Sequence, residues 1–429
     1  MIYRFLLLAF LLLFNTFSFS RLPKETVPPP YLNVAIYPYL PRTDQFKSIL
    51  IAAWNSLGTG VQLNFIDYDC YASDPPDSLD VFVFDGIYYQ YFIAQNFIKP
   101  IPISAVNDRM GFMNFAWDAV WINSTTVYAI PYLGCSNVYF YRKSDPIFDT
   151  LSRNGLDAFY ALMGNSPSPT VPQPPLRRGL LMDLSGSTTD ASLYLMTQMN
   201  LSNNYSKNPY LPPANQLDPN VLNHLRLYTK MAGIAQATFI DPNHQRIDWF
   251  SQGYGRSLVG ITENLCSFPK GYLDSVDFRL LPTADTYLPI TEEFFVDMAS
   301  MNTKVSSDKY PYALMLLNLM TSHDVMYASM VARNVNENPQ FLIPARGKVL
   351  ADLMDVHPLY TSMATMLLNY YPQPFLIGKP SRTWLNQTKS AIKQAILTTT
   401  TNKQLQDKMK KNDAVKKDKE GRFNSTRNF

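Results

Sequence analysis

Cys135 is the side chain of this sequence best suited to act as a nucleophile. It lies in the segment AIPYLGCSNVYFYRKSD, where a short strand and a glycine precede it and a second strand, residues 138–142, follows. Cysteine is intrinsically nucleophilic, because a few per cent of its thiol is ionised at neutral pH. Gly134 permits a close approach of backbone or ligand. The alternative is that Cys135 is a small buried apolar residue, as many cysteines are.

Glu263 is the side chain best suited to act as a general base. It directly follows the predicted strand at residues 256–262 (RSLVGIT), so we expect it at the edge of a sheet. Partial burial raises the pKa of a carboxyl group, and a pKa of roughly 6–7 suits proton transfer at neutral pH. Only six of the 34 acidic residues are glutamates, which makes one at a strand end more notable. The alternative is a helix N-cap or a solvated turn.

The elements that must position these two side chains alternate between strand and helix. The predicted strands are residues 32–37, 61–68, 80–84, 180–184 and 256–262. The predicted helices are residues 44–54, 187–199 and 219–235, with Thr43, Ser187 and Asp218 as their N-caps. From Ser307 onward the pattern is mainly helical. This alternation predicts the α/β fold class.

The positive charge of the chain is concentrated at its ends. The 429 residues carry a formal net charge of +3. Residues 401–429 hold nine Lys or Arg against four Asp or Glu, and Arg4 adds one positive charge, which leaves −3 on residues 21–400. We therefore expect no nucleic-acid partner for the folded part. The Lys-rich tail, residues 401–429, has few apolar residues, and we expect it to be disordered.

Residues 1–20 (MIYRFLLLAFLLLFNTFSFS) have the pattern of a secretory signal peptide. Arg4 precedes an unbroken apolar run, and the segment ends in the small-x-small sequence Ser18-Phe19-Ser20. The apolar run is shorter than the roughly 20 residues that span a bilayer. We therefore expect a secreted or extracytoplasmic protein, with no membrane association after cleavage of the peptide.

Cysteine and histidine usage indicates neither a metal site nor a cofactor. The three cysteines, Cys70, Cys135 and Cys266, show no CxxC spacing, and the four histidines are scattered. An odd number of cysteines in an exported protein leaves at least one thiol outside any disulfide within the chain. Whether Cys70 and Cys266 form a disulfide stays open at this point.

Five short motifs together resemble one enzyme family. The motifs are AIYPYLPR, VFVFDGIYYQYF, IPYLGCSN, LVGITEN and FFVDMASMN. Their order and spacing resemble thiaminase type I, also called thiamine pyridinylase, which is built on the type II periplasmic solute-binding fold. The likeness extends from about residue 32 to about residue 400. The sequence departs from the family pattern at Ile261, where the family has a tyrosine.

The resemblance implies an α/β fold with two lobes, an interlobe cleft and hinge crossovers near Cys135, Phe295 and Val335. The implied lobes are residues 32–134 with 298–333 for lobe 1, and residues 136–296 with 334–400 for lobe 2. Ligands of open α/β sheets bind at the carboxyl ends of the strands, and these ends would face the cleft.

The chemistry that the resemblance implies is base exchange on thiamine. Cys135 matches the family's catalytic cysteine, whose thiolate adds to the pyrimidine before the thiazole leaves. An organic amine or thiol then takes the pyrimidine. Glu263 matches the family's catalytic glutamate, which takes the thiol proton and passes it on. The implied partners are thiamine and the acceptor base or thiol; no cofactor is implied, and we expect a monomer.

The same resemblance indicates where thiamine would bind. Thiamine is a cation attached to a flat, hydrogen-bonding ring, and carboxylates and aromatic faces suit both parts. Asp85 and Asp297 correspond to acidic residues that line the family's pocket. The predicted aromatic contacts at neighbouring strand ends are Tyr37, Tyr39, Tyr68 and Tyr88. The alternatives are strand-end caps for the two aspartates and ordinary core positions for the tyrosines.

Two other functions can be weighed against this one. A non-catalytic binding protein for thiamine or a pyrimidine on the same fold would need the aspartates and tyrosines but no nucleophile, so the joint presence of Cys135 and Glu263 favours an enzyme. A papain-type thiol hydrolase is disfavoured, because its cysteine signature is missing and no histidine lies near any motif. The sequence therefore predicts a secreted thiamine-degrading transferase.

Overall fold

The computed structural model describes residues 31–146, 148, 155–166, 179–241, 244–285, 293–369 and 372–398. The predicted signal peptide at residues 1–20 and the predicted tail at residues 401–429 lie outside these ranges. Within them, none of the helices combines the length and the apolar character that crossing a membrane requires.

The strands are, in chain order, β1 (Tyr31–Ala35), β2 (Gln62–Phe65), β3 (Val81–Asp85), β4 (Ile101–Pro102), β5 (Thr126–Val127), β6 (Ile130–Cys135), β7 (Asn137–Arg142), β8 (Leu180–Leu181), β9 (Ser257–Ile261), β10 (Val276–Leu280), β11 (Glu293–Met301), β12 (Ile343–Pro344) and β13 (Gln373–Pro374). The α-helices are α1 (Thr43–Ser56), α2 (Tyr89–Ala94), α3 (Asn114–Val120), α4 (Leu156–Met163), α5 (Ser187–Ser202), α6 (Pro219–Ala232), α7 (Ile234–Ala237), α8 (Gln245–Ser251), α9 (Tyr310–Met320), α10 (His323–Met330), α11 (Gly347–Met354), α12 (Pro358–Asn369) and α13 (Ser381–Leu397).

The described residues form two compact units. Unit 1 comprises the described part of Met1–Gly134 together with Phe295–Arg333 and Leu342–His357. Unit 2 comprises the described parts of Cys135–Phe294 and Pro358–Phe429, together with Asn334–Phe341.

The assignment of all of residues 334–400 to lobe 2 is wrong for Leu342–His357, which belongs to unit 1. The reason is strand pairing, because β12 lies antiparallel to β6 with Ile343 opposite Gly134. Arg346 then fixes the segment by donating a hydrogen bond of 2.8 Å to the carboxylate of Asp108. Unit 1 also resumes at Phe295, three residues before the predicted boundary at Met298.

Unit 1 is built on a mixed sheet with the strand order β12-β6-β11-β3-β1-β2. β1 pairs in parallel with both β2 and β3, whereas β11 runs antiparallel to β3. All five residues of β3 are buried, as the apolar run VFVF predicts. The carboxyl ends of β1 and β3 therefore share one edge of this sheet.

Unit 2 is built on a four-stranded sheet with the order β10-β7-β9-β8. β7 pairs antiparallel with both β10 and β9, and β8 pairs in parallel with β9. The helices α5, α6 and α13 pack against one another in this unit. The alternation of strands and helices in both units confirms the predicted α/β class.

Two predicted helix caps are wrong by one residue. Thr43 is the first residue of α1, and Arg42 is its N-cap because the Arg42 carbonyl accepts from the Gln45 amide at 3.0 Å. In the same way Gly186, not Ser187, caps α5. The prediction for α6 is correct, since the Asp218 side chain accepts from the Asn220 amide.

Candidate active site

Strand register brings Cys135 and Glu263 together in unit 2. The last residue of β9, Ile261, lies opposite the first residue of β7, Asn137. Cys135 lies two residues before Asn137 and Glu263 two residues after Ile261, so both adjoin the same end of this strand pair. The Cys135 side chain forms a hydrogen bond with the Glu263 carboxyl group. The two side chains singled out from the sequence are thus direct neighbours.

A short turn fixes the position of Glu263. The sequence predicts Glu263 directly after a strand that reaches Thr262, but β9 ends at Ile261 and Glu263 lies in a 3₁₀ turn, Thr262–Ser267. The Asn264 side chain closes this turn by accepting from the Ile261 amide at 2.8 Å. A Cβ atom on Gly260 would lie 2.2 Å from the Asn264 side-chain oxygen, so the glycine is required for this closure.

The environment of Glu263 gives it the properties of a base near neutral pH. Burial raises the pKa of Glu263 to about 7. Hydrogen bonds from its own backbone, from Thr262 and from Cys135 act in the opposite direction and stabilise the carboxylate. The side chain keeps partial solvent exposure, as does Cys135. A thiol that donates to a carboxylate of this kind can pass its proton to it.

Close backbone packing accounts for the glycine at position 134. A Cβ atom at this position would lie 2.6 Å from the carbonyl oxygen of Phe295 on β11. The close approach that the sequence suggested is therefore one of backbone to backbone within unit 1. It sets the path of β6 just before the chain reaches Cys135.

A second cluster, which contains several of the predicted site residues, lies in unit 1, at the shared carboxyl edge of β1 and β3. The Tyr71 hydroxyl donates a short hydrogen bond to the Asp85 carboxylate. The Tyr37 hydroxyl lies 2.9 Å from that of Tyr71. Asp85 also accepts from the Ile87 amide at 3.0 Å, so it caps the turn after β3 as well. The three side chains form one continuous hydrogen-bonded chain.

Asp297 completes this cluster from the neighbouring strand. It lies directly opposite Asp85 in the antiparallel pairing of β3 with β11, and both aspartates are buried. Burial raises the pKa of Asp85, although its hydrogen bonds from Ile87 and Tyr71 lower it. Burial also raises the pKa of Tyr37, and the charges of Asp297 and Asp85 raise it further. Two like charges facing each other across a sheet are unfavourable unless a cation or a proton lies between them.

The other predicted tyrosines differ in their relation to this cluster. Tyr39 is 57% exposed and packs edge-on against Tyr37 and Tyr71, with ring centroids 5.5 and 5.7 Å away. Tyr88 packs edge-on against Tyr71 at 5.8 Å. The Tyr68 hydroxyl donates to the Ser73 carbonyl at 3.3 Å. The Tyr68 ring packs against Phe82, and Tyr68 is a buried core residue.

Tyr71 is the member of this cluster that the sequence analysis missed. It lies in a turn between β2 and β3, where no periodic pattern marks it. The Asp69 carboxylate holds the turn by accepting from the Tyr71 amide at 2.8 Å. An aromatic residue two positions after an aspartate in a loop was the available signal, and it is a weak one.

The described residues form neither a disulfide nor a metal-binding group. None of the three cysteines is in a disulfide, and Cys70 and Cys266 belong to different units. Cys70 is buried, and burial raises its pKa, with a further contribution from the charge of Asp85. Among the residues that the structure describes, no group of three His, Cys, Asp or Glu side chains is placed to hold a metal ion.

Comparisons with known proteins find relatives of this chain in one enzyme family. The Thiaminase-1 domain family model matches residues 136–284, the segment that holds Glu263. The chain is 32% identical to Thiaminase-1 of Paenibacillus thiaminolyticus over 372 residues, which covers 85% of this chain and 88% of that protein. It also superposes on Clostridium botulinum thiaminase I, solved in complex with thiamin, with a TM-score of 0.80 and 31% identity, over 86% of this chain and all of that one.

A more distant likeness concerns the fold alone. The maltodextrin-binding protein of L. casei is 13% identical and has a TM-score of 0.60, with 90% of this chain and 98% of that chain covered. The predicted type II periplasmic solute-binding fold is thereby confirmed. The sequence identity and coverage shared with Thiaminase-1 go well beyond a common fold, and they establish that this chain belongs to the thiaminase I family.

Proposed function

We propose that this chain degrades thiamine by base exchange, with Cys135 as the nucleophile and Glu263 as its base. The observation that carries the proposal is the hydrogen bond between the Cys135 thiol and a carboxyl group whose pKa is raised to about 7. Membership of the thiaminase I family supplies the substrate class.

The proposed reaction has two halves. In the first, Glu263 takes the thiol proton, the sulfur of Cys135 adds to the pyrimidine of thiamine, and the bond from the bridging carbon to the thiazolium nitrogen breaks. The electron pair of that bond leaves with the ring as neutral thiazole. In the second, an organic amine or thiol attacks the bridging carbon and loses a proton to solvent. The carbon–sulfur bond to Cys135 breaks, and the proton held by Glu263 returns to the thiolate.

We also propose that the cluster of unit 1 recognises thiamine. Asp85 and Asp297 provide carboxyl groups for the amino-pyrimidine and for the positive charge of the substrate. The hydroxyl chain from Tyr37 through Tyr71 to Asp85 holds one of these carboxyl groups in a fixed orientation. The rings of Tyr39 and Tyr88, which pack on Tyr71, offer aromatic faces. Tyr68 is the weakest of the six predicted contacts, because its ring lies in the core.

Export is proposed from the sequence of residues 1–20, which has the charge and apolar pattern of a signal peptide. Intact-mass measurement of protein from a secretory host tests this, because cleavage after Ser20 would leave Arg21 as the first residue.

Intact-protein mass spectrometry tests the chemical proposal. Incubation with thiamine, in the absence of an acceptor, should add one pyrimidine group to the protein, and peptide mapping should place it on Cys135. The Cys135→Ser variant should show no adduct and no base exchange with thiamine and an aromatic amine.

Cys70→Ser and Cys266→Ser are the matched controls, and both should still form the adduct. An adduct located on Cys70 or Cys266 would refute the assignment of the nucleophile. Thiamine binding without any adduct or turnover in the wild-type protein would instead indicate a non-catalytic binding protein.

A further inference from the structure

A cavity of about 250 Å³ lies in unit 2 between the second half of α5 and the chain that leads into α6. Its lining includes Tyr194, Gln198, Tyr210 and Asp218, the N-cap residue of α6. Neither Cys135 nor Glu263 lines it. It is smaller than the roughly 300–1,000 Å³ typical of pockets for drug-sized ligands, so it suits a molecule with a single ring.

The walls of this cavity are held by hydrogen bonds from two helices. From α5, the Gln198 side chain donates to the Tyr210 carbonyl at 2.8 Å. From α13, the Trp384 indole donates to the Pro212 carbonyl at 2.8 Å. The Tyr194 hydroxyl accepts from the Asp218 amide at 2.7 Å and so ties α5 to the start of α6. The cavity is therefore formed before any ligand arrives.

The chemistry of the lining favours a cation. Of the described residues that line the cavity, Asp218 is the one acidic residue, and none is Lys, Arg or His. One oxygen of Asp218 accepts from the Asn220 amide at 2.8 Å, and its other oxygen has no hydrogen-bond partner among the described residues. Gln198 uses its amide group as a donor, which leaves its side-chain oxygen as a second acceptor.

One exposed aromatic ring completes the site. Tyr194 is fully buried, so it supports the wall of the cavity and presents no face to a ligand. Tyr210 is 67% exposed, which places an aromatic face next to solvent. Aromatic faces attract organic cations and pack against flat rings.

We propose that this cavity binds a one-ring organic cation, with its ammonium group on Asp218 and Gln198 and its ring against Tyr210. The N-terminus of α6 offsets part of the Asp218 charge, so the affinity is modest. The inference does not rest on base exchange, because the cavity contains none of the residues proposed for that reaction.

The test is a ligand-observed NMR titration with benzylamine, using benzyl alcohol as the neutral probe of the same shape. The Cys135→Ser protein is used, so that no reaction competes with binding. We expect the affinity for benzylamine to exceed that for benzyl alcohol by a factor of about three or more. The corresponding difference in binding free energy lies within the range measured for exposed ion pairs. Equal affinity for the two probes would overturn the proposal.

Two variants localise the site. Asp218→Asn removes the charge but keeps a good N-cap, since asparagine caps helices as well as aspartate does. Tyr210→Ala removes an exposed ring. Each should weaken benzylamine binding about threefold or more. Asp274→Asn, which removes an exposed carboxylate outside the cavity, should leave it unchanged. Unchanged affinity in both Asp218→Asn and Tyr210→Ala, or an equal loss in Asp274→Asn, would contradict the assignment.

Discussion

The pairing of Cys135 with Glu263 brings the proton affinities of a thiol and a carboxyl group close together. An ordinary glutamate has a pKa of about 4.3 and an ordinary cysteine one of about 8.5, so transfer between them is uphill by about four units, or roughly 6 kcal/mol. With the pKa of Glu263 raised to about 7, most of that difference disappears. In the proposed mechanism, burial of Glu263 therefore favours thiolate formation at neutral pH.

Glu263→Gln should change the pH dependence of Cys135 reactivity. In the wild-type protein the rate of Cys135 alkylation by iodoacetamide should fall as the pH drops through about 7, because a protonated Glu263 cannot take the thiol proton. In the variant the alkylation rate near pH 7 should be lower by more than about tenfold, and the inflection should move to a higher pH. The measurement is labelling at Cys135, followed by peptide mass spectrometry from pH 5 to pH 9.

Asp274→Asn provides the control, because it removes an exposed carboxylate from the same unit. Its profile should match that of the wild-type protein. If Glu263→Gln also matched at every pH, Glu263 would not be the base.

Residue type and position alone mark Cys135 and Glu263, because a thiol at a strand junction and a glutamate at a strand end are distinctive in this sequence. Their contact depends on the register between β7 and β9, two strands that lie more than a hundred residues apart in the chain. Composition does not encode that register, and the family resemblance was needed to connect the two. Neither residue type nor the family resemblance identified Tyr71. Its partner Asp85 becomes a neighbour only when the turn that holds Tyr71 folds against β3.

At the scale of elements, the 3₁₀ turn after β9 sets the direction of the Glu263 side chain. Gly260→Ala should displace Asn264, since the added methyl group would overlap its side-chain oxygen. We expect the free energy of unfolding to fall by about 0.5–1.5 kcal/mol, the typical net value of one hydrogen bond. The alkylation rate of Cys135 at pH 7 should fall as well. Urea unfolding and iodoacetamide labelling measure the two effects.

Gly271→Ala is the matched control, because a Cβ atom there meets nothing within 4 Å. It should leave both quantities unchanged. Normal Cys135 reactivity in Gly260→Ala would show that the turn does not position the base.

The interface between α5 and α13 carries another buried carboxyl group. Asp190 on α5 is fully buried, and neither of its carboxyl oxygens has a hydrogen-bond partner among the described residues. Burial raises the pKa of Asp190 to about 8, although the charge of Lys393 on α13 acts against it. Lys393 itself donates to the Ser185 carbonyl at 2.5 Å. At neutral pH the folded protein therefore holds Asp190 mainly as the neutral acid.

Asp190 should make the protein less stable as the pH rises. The folded state keeps a proton that the unfolded chain releases above about pH 4, so unfolding becomes easier between about pH 4 and pH 8. Asp190→Asn should raise the free energy of unfolding at pH 8 by more than about 1 kcal/mol and should change it less at pH 5. Urea unfolding at the two pH values measures the difference. An equal effect at both would mean that Asp190 keeps its charge when buried.

Element prediction from the sequence succeeded where apolar patterns were strong and failed by a few residues at the ends. The Asp218 cap of α6 was predicted correctly, because the Asp218 side chain accepts a hydrogen bond from the nearby Asn220 amide. α6 ends at Ala232, three residues before the predicted end, because Gly233 adopts a φ of +79°. The strand predicted at residues 61–68 covers only Gln62–Phe65. Hydrogen bonds to residues distant in the chain determine where such helices and strands end. The local sequence does not reveal these hydrogen bonds.

At the scale of the whole molecule, the chain returns to unit 1 after long excursions, and this was the hardest feature to predict. The α/β class followed from the alternation of elements. The return of Leu342–His357 to unit 1 depends on a two-residue strand, β12, whose sequence Ile-Pro carries no signal for pairing with β6. Contacts of this length come from the fold as a whole, and the lobe boundaries that the resemblance implied did not include this return.

The proposed division of labour between the units leads to a final prediction. Asp85→Asn in unit 1 should weaken thiamine binding about tenfold. It removes the buried carboxyl group proposed to bind the cationic substrate, and it also removes the carboxylate that accepts a hydrogen bond from Tyr71. It should leave the pH profile of Cys135 alkylation unchanged, since Glu263 belongs to unit 2. Calorimetric titration of thiamine into the Cys135→Ser protein, with and without Asp85→Asn, measures the first effect. Asp67→Asn, an exposed aspartate of unit 1, serves as the control. A variant that binds thiamine normally would remove Asp85 from the recognition site, whereas one that alters Cys135 reactivity would show that recognition and proton transfer cannot be separated by unit.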